Sequence, residues 1–281
     1  MANETEYANL TNVAAYISAN VHEYDRPLVV AHNLITHQVL ERGTDSWKFR
    51  NRGSLSAAVV AESGTGTKSE YTETAVTLQL QKAMVYFEPT HEARRSAAEN
   101  VMDLLMAEAG RALMQKFEVD ALGLANGFSQ SAGSTGVNLT VAVFREAVYK
   151  ASVNDNPDLV SAVLHAVQIA DLGDAIVAAS AAYYTSEGHD VTKAQTSRSA
   201  YVGTLMETPI YRSNNVESIN TAADWAGAVF SPKAIAAIKG STYSTYITPV
   251  PSKATYEVSV VMDYQVGEWV DLHGCYIVSD Q

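Results

Sequence analysis

Three stretches of the chain carry a clear hydrophobic period, and together they outline an architecture. Val76, Leu78 and Leu80 alternate with Thr77, Gln79 and Gln81, the period of two expected of a strand with one buried face. Ala93, Ala97, Val101, Leu104, Leu105, Ala112, Leu113 and Phe117 recur at helical spacing, so residues 90–126 are predicted as one long amphipathic helix. The opposite face of that helix is assigned Arg95, Glu99, Arg111 and Glu118. Pro89 suits the helix entrance, Glu92 sits where the dipole favours an acid, and Asn126-Gly127 is a stop signal. Gly110 is read as a bend or a close packing point. At 1.5 Å per residue, roughly 37 residues would reach about 55 Å, long for a domain of this size. Near the end of the chain Tyr256, Val258, Val260, Met262 and Tyr264 alternate with mostly polar residues. That run predicts antiparallel sheet packed under something long and apolar, for which the helix is the candidate. Gly267 is read as a turn, after which Val270, Leu272 and Ile277 lead into a last strand.

The remaining segments are less periodic. Residues 1–40 mix polar and apolar positions and read as an arm, with a short helix at 13–21 and an extended piece at 27–30. From 41 to 80 two extended runs flank a turn-rich tip, Ser63-Gly64-Thr65-Gly66-Thr67-Lys68, with Trp47, Phe49 and the run 55–60 as the outgoing β-formers. A two-stranded ribbon of that length is marginal in water without a surface to lie on. A chain that spends its first third on segments unable to bury themselves expects neighbours to cover them. Residues 129–140, rich in Gly, Ser and Thr, form the best candidate boundary. Beyond it, 141–152 and 172–183 are predicted helices, and 161–169 is ambiguous between strand and helix. Pro209-Ile210-Tyr211 is a predicted strand ended by Ser213-Asn214-Asn215. Residues 226–230 form another, and 232–239 a short helix capped by Ser231. This alternation suggests a compact α/β unit.

Composition narrows the function classes. With 281 residues, 47% hydrophobic and 18% charged, the chain can bury a substantial core. Its formal charge is −12, from 31 acidic against 19 basic residues, which argues against tight non-specific binding to nucleic-acid phosphates. The charge is uneven. No Lys or Arg falls between Lys150 and Lys193, whereas Arg42, Lys48, Arg50 and Arg52 crowd one early segment. A single cysteine, Cys275, excludes an intrachain disulfide. The N-terminus lacks the pattern of a signal peptide, and no run of 18 apolar residues offers a membrane span, so a cytoplasm-like compartment is expected. Tyrosine dominates the aromatics, 15 against 3 Trp and 6 Phe, a bias that suits either interfaces or sheet edges.

Catalytic and metal motifs were sought without success. Gly64-Thr65-Gly66-Thr67-Lys68-Ser69 superficially resembles a phosphate loop, but its spacing fails and it joins two predicted strands. After His91-Glu92, Arg95 stands where a zinc motif needs a second histidine. His273 and Cys275 are two apart on a predicted strand, short of a closed zinc set. Asp171 and Asp174 are explained by a predicted helix N-terminus. No nucleophile elbow is present. The expectation is a protein that is not an enzyme and needs no cofactor.

The order of these segments resembles the major capsid protein of tailed bacteriophages with the Hong Kong 97-type fold. The resemblance covers nearly the whole chain. Its most specific stretches are Ala75-Val76-Thr77-Leu78 leading through Lys82-Ala83 into the helix, the run from Gly203 through Pro209-Ile210-Tyr211 to Val216, and Ala228-Val229-Phe230-Ser231-Pro232-Lys233-Ala234. It implies an α+β fold with an N-terminal arm (1–40), an extended loop (41–80) and a peripheral domain with a spine helix (81–136). An axial α/β domain (137–245) and return strands of the peripheral domain (246–281) would follow. It implies a structural protein that self-assembles into pentamers and hexamers of an icosahedral shell around a double-stranded DNA genome, in a virion assembled in host cytoplasm. DNA would be enclosed without sequence-specific binding. Because the arm begins close to Met1, the resemblance implies a separate scaffolding protein or none, with a portal and, in some shells, decoration proteins as further partners. The inter-subunit residues implied on the loop are Arg42, Trp47, Lys48, Arg50, Arg52 and Lys68, the basic ones docking on a neighbour's acidic surface. Those on the spine helix are Arg95, Glu99, Asp103 and Arg111. Lys68 also reads simply as a solvated turn lysine. A nanocompartment (encapsulin-like) shell is the nearer alternative, and a soluble α/β enzyme the farther one.

Overall fold

The computed structural model describes residues 29–280 apart from 52, 54, 61, 97–100, 154–157, 181–199, 222 and 241–243. The expected helix 13–21, Arg52 and Glu99 lie outside the described residues. In chain order the elements are α1 (Ala31–Leu34), β1 (Thr36–Val39), β2 (Ser46–Asn51), β3 (Thr74–Gln79), β4 (Gln81–Phe87), α2 (His91–Ser96) and α3 (Val101–Gly123). Then come β5 (Ser131–Gly133), α4 (Val141–Val153), β6 (Ser161–Leu164), α5 (Ala166–Ser180), β7 (Tyr201–Leu205), β8 (Thr208–Arg212) and β9 (Ser218–Ile219). The chain closes with β10 (Asp224–Phe230), β11 (Ile235–Lys239), β12 (Ser244–Val250), β13 (Thr255–Glu268) and β14 (Gly274–Asp280).

Two mixed sheets organise the fold. In the first, β1, β11, β13 and β12 follow one another and β4 joins β13. In the second the order is β5-β14-β10-β6-β8-β7, with β9 on β10. The alternation expected at 256–264 is realised in β13, where Val260, Met262, Tyr264 and Val266 point into one core with Ala109, Leu113, Phe117 and Ala121 of α3. Ala83, Val85 and Phe87 of β4 join them, so α3 covers one face of the first sheet. The C-terminal half of α3 also meets Val163, Ala228 and Phe230, on one face of the second sheet. The other face of that sheet is covered by Phe144, Ala147 and Ala151 of α4 and Leu172 of α5. The spine helix thus belongs to both halves of the molecule.

Several expectations are corrected. The helix face is different: Leu104 is exposed, whereas Glu118, assigned to solvent, is completely buried. A Cβ on Gly110 would meet open space, so it marks no packing point. The predicted helix 232–239 is instead strand β11, held in parallel register with β1 and antiparallel to β13. Ala and Lys are good helix formers, but the place between two strands decides the conformation. β13 runs through Gly267 without turning. The last strand does not return to the first sheet. It pairs with β10 from Asp224↔Asp280 to Phe230↔Gly274, in the second sheet. His273 lies in a short turn before β14 and Cys275 on it, so the two do not share a strand. Burial pushes the Cys275 thiol up to about 11, an inert core sulfur. α5 starts at Ala166, which puts Asp171 and Asp174 inside the helix, and Asp171 accepts a hydrogen bond from Asn138 at 3.2 Å instead.

Candidate assembly surfaces

The extended loop leaves the first sheet as the ribbon β2–β3, paired from Ser46↔Gln79 to Asn51↔Thr74. Phe49 and Leu78 are its buried feet. They pack with Leu40, Ala236 and Ile238, and Phe49 stacks against Trp269 at 5.3 Å. Gly267 permits this seating, because a Cβ there would stand 2.4 Å from Leu78 Cδ2. Ala236 and Gly267 are cross-strand partners on the face of the first sheet that α3 does not cover. The sheet is therefore clamped between the spine helix and the loop's root.

Beyond Asn51 the ladder ends, and the expected outgoing strand at 55–60 is not formed. The two limbs still touch. Ser69 Oγ donates to the Ser56 carbonyl at 2.8 Å, and a Cβ on Gly53 would sit 2.0 Å from the Thr72 carbonyl oxygen, so only glycine allows that approach. Along these limbs Leu55, Val60 and Tyr71 are exposed and Val59 is wholly so. Apolar groups in such a row, held away from any core of their own chain, mark a surface made to be covered.

Of the basic residues expected on the loop, Lys48 and Arg50 lie on the exposed outward face of β2, opposite Thr77 and Ala75. Arg50 approaches Glu73 at 3.8 Å, a loose surface pair. Arg42 is exposed in the turn between β1 and β2, and Lys68 is exposed on the returning limb. Trp47 is on the same face as Phe49 but stays 41% exposed, at the rim of the buried foot. On the helical side, Arg95 is exposed on α2 and, with His91 and Arg94, lines a cleft closed by Pro249, Pro251 and Tyr256. Arg94 stacks over the Tyr256 ring at 4.5 Å. Asp103 is exposed on α3, and Arg111 pairs with Glu108 at 2.9 Å. The loop's root and α3 thus stand on opposite faces of the first sheet.

The sequence reading missed the polar anchors. Val30 N–H donates to both Glu118 carboxylate oxygens at 3.0 Å, Ala31 N–H donates to Oε2 at 2.8 Å, and Ser213 Oγ donates to Oε1 at 3.2 Å. Burial pushes the Glu118 pKa upward, and these donors offset part of that effect. A second anchor is Gln168, whose amide donates to the Trp225 carbonyl at 3.1 Å and Ser279 Oγ at 3.0 Å, while its oxygen accepts from His165 N–H at 3.1 Å. Neither residue carries a pattern that distinguishes it from a surface Glu or Gln. Among the described residues no group of three or more His, Cys, Asp or Glu is placed to hold a metal ion. No described helix is long and apolar enough to cross a membrane.

No protein-family model matches the chain, and no curated protein sequence matches it. Solved structures do. The capsid of the cyanophage P-SCSP1u superposes with a TM-score of 0.72 at 12% identity, over 94% of this chain and 92% of that one. Mycobacterium phage Che8 gives 0.64 at 16% identity, over 92% and 94%. The holo-SrpI encapsulin complex of Synechococcus elongatus PCC 7942 gives 0.64 at 14% identity, over 95% of both chains. With matches along nearly the full length, the chain has the Hong Kong 97-type fold of phage capsids.

Proposed function

We propose that this protein is the major capsid protein of a tailed phage, a non-enzymatic subunit that assembles with copies of itself into pentamers and hexamers of an icosahedral shell around double-stranded DNA. The observation that carries the reading is the extended loop. Its root is bound into its own subunit through Phe49 and Leu78, while Leu55, Val59, Val60 and Tyr71 farther out have no cover. A neighbour's helix-side surface, bearing Arg95, Asp103 and Arg111, is the natural seat, because the chain's own α3 lies across the sheet from the loop's root. Many such contacts, each of a standard interface of about 1,600 Å², close a stable shell even when each one is weak. The net charge of −12 suits a wall that encloses DNA without binding its phosphates tightly. A separate scaffolding protein, a portal and decoration proteins complete the proposed particle, assembled in host cytoplasm and carried in the virion.

The test is electron microscopy of the full chain expressed alone and with its neighbouring proteins, beside size-exclusion chromatography. Closed particles, or rings of five and six, are expected. A small oligomer that never enlarges under either condition would sink the proposal. The likeness to the encapsulin complex supports a second reading, a nanocompartment shell. The contents of purified particles separate the two: packaged DNA supports the phage reading, and a co-purifying enzyme supports the other.

A further inference from the structure

Three basic side chains meet where the segment 30–40 crosses the spine helix. His32, on α1, and His37, on β1, have ring centroids 4.3 Å apart, and His37 Nε2 is hydrogen-bonded to the His32 carbonyl oxygen. Lys239 of β11 contacts His32 Nε2 and places its ammonium 4.8 Å from the centre of the Phe117 ring of α3. Both imidazoles lie against that same ring, at 5.7 and 5.9 Å. These contacts define the protonation state. A carbonyl acceptor requires a proton on His37 Nε2, and Nδ1 is buried without a protein hydrogen-bond partner, so a second proton there would have nothing to accept it and the site favours the neutral ring. An ammonium at His32 Nε2 requires that nitrogen to accept, so His32 is neutral as well.

We propose that His32, His37 and Lys239 form an acid-operated latch, which holds residues 30–40 against α3 and β11 at neutral pH and releases them in mildly acidic solution. A proton on His32 would face the Lys239 ammonium, and a proton on His37 would place a donor at a buried site with nothing to accept it. The remaining titratable groups around the cluster give no relief. From α3, Asp120 is already engaged by Lys116 at 2.5 Å and by the Tyr264 hydroxyl of β13 at 2.7 Å. Glu118, also on α3, is occupied by the Val30 and Ala31 amides. Desolvation first, and the charge of Lys239 after it, lower the pKa of His32; desolvation likewise lowers that of His37.

The sign follows. Well above pH 6.5 neither the docked nor the released histidines are charged, and docking is at full strength. As pH falls below that value the released imidazoles take up protons and the docked ones do not, until pH passes through the lowered docked values. Glu118 works in the opposite sense, since its raised pKa means that protonation eases its burial. Acid release is therefore a property of the imidazoles. Its consequence reaches the loop, because β1 leads directly into Leu40, which is buried with Phe49 and Leu78 at the loop's root. The latch does not depend on the shell reading.

The test is hydrogen exchange by mass spectrometry on the full chain at pH 7.5 and 5.5, corrected for the intrinsic pH dependence of exchange. Two protons taken up on release make the opening of residues 30–40 up to about 100-fold more favourable one pH unit below 6.5, and about 10-fold in either H32Q or H37Q. The H32Q/H37Q double variant should lose the effect, and amides of β10 should not respond in any of them. A segment equally protected at both pH values would overturn the proposal, as would acid opening that persists in the double variant or that occurs together with β10. If the variants fail to fold, imidazole NMR titration of the unaltered chain decides: both histidines below 6.5 support the latch, and ordinary or raised values overturn it.

Discussion

The two sheets of this molecule are finished to different degrees. In the second sheet β10 is buried at nearly every position and β6 at three of four, because α4 and α5 close one face and α3 the other. In the first sheet the burial of β4 alternates with exposure, and Met84, Tyr86, Tyr246 and Ile247 remain in solvent. Among the described residues, its outer face is covered where the cluster around Phe49 and Leu78 lands. One half of the molecule is complete within the chain. The other half, together with the loop it carries, leaves apolar side chains exposed, among them Leu55, Val59, Met84 and Ile247.

The comparison breaks most severely where the halves are joined. Phe117 is fully buried, packs edge-on against Tyr264 of the first sheet at 5.3 Å, and shares one core with Val163 and Phe230 of the second. Phe117→Ala should cost about 3–5 kcal/mol and lower the denaturation midpoint in a single transition, since both sheets lose the same support. Two separate transitions in chemical denaturation followed by fluorescence and circular dichroism would show that the sheets fold independently. Gln168→Ala comes next. It removes the hydrogen bonds that tie α5 to the second sheet and leaves the buried Ser279 hydroxyl without the donor that Gln168 supplies, with an expected loss of about 2–3 kcal/mol by the same denaturation assay. The root of the loop ranks third. Leu78→Ala should cost about 2 kcal/mol, at the low end for a buried leucine because the site borders solvent. It should also speed proteolysis between residues 52 and 73 without exposing the second sheet to cleavage.

How much of this was legible in the sequence depends on how local the cause is. The alternation of β13, helix α4 and the strand around Ile210 follow from periods and turn residues present in the chain itself, and the structure has all three. Helix was legible around residues 90–126, where the structure describes α2 (His91–Ser96) and the shorter, 23-residue α3 (Val101–Gly123), but its facing was not, because the buried stripe changes as α3 passes from the first sheet to the second. Ile235–Lys239 was misread because its composition favours a helix, and its strand pairing depends on β1 and β13, residues far away in sequence. The same holds for β14, whose partners β10 and β5 are set by register across the fold. Glu118 and Gln168 were illegible for a related reason: each answers backbone groups of a segment remote in the chain. Of the expected assembly residues on β2, Lys48 and Arg50 are exposed beside the buried Phe49. That the loop's root and α3 fall on opposite faces of one sheet required the structure.

The sharpest use of the comparison is the substitution with the smallest effect on the isolated chain. Val59 touches nothing that buries it, so Val59→Ser should change the stability of the unassembled subunit by less than about 0.5 kcal/mol. Reversal of the charges at Lys48 and Arg50 should be equally mild, because both side chains stand in solvent on the outward face of β2. Under the proposed function both variants nevertheless reduce the yield of closed particles, as every neighbour loses the same contact. The two measurements bear on different links: denaturation reports what the chain does for itself, and particle yield reports what it does for its neighbours. Destabilised subunits would mean that the loop packs on its own chain more than its exposure indicates. Normal particle yield from both variants would remove these residues from the docking surface. Unchanged stability with lost assembly is the expected result, the pattern of a surface that serves an assembly partner and not its own chain.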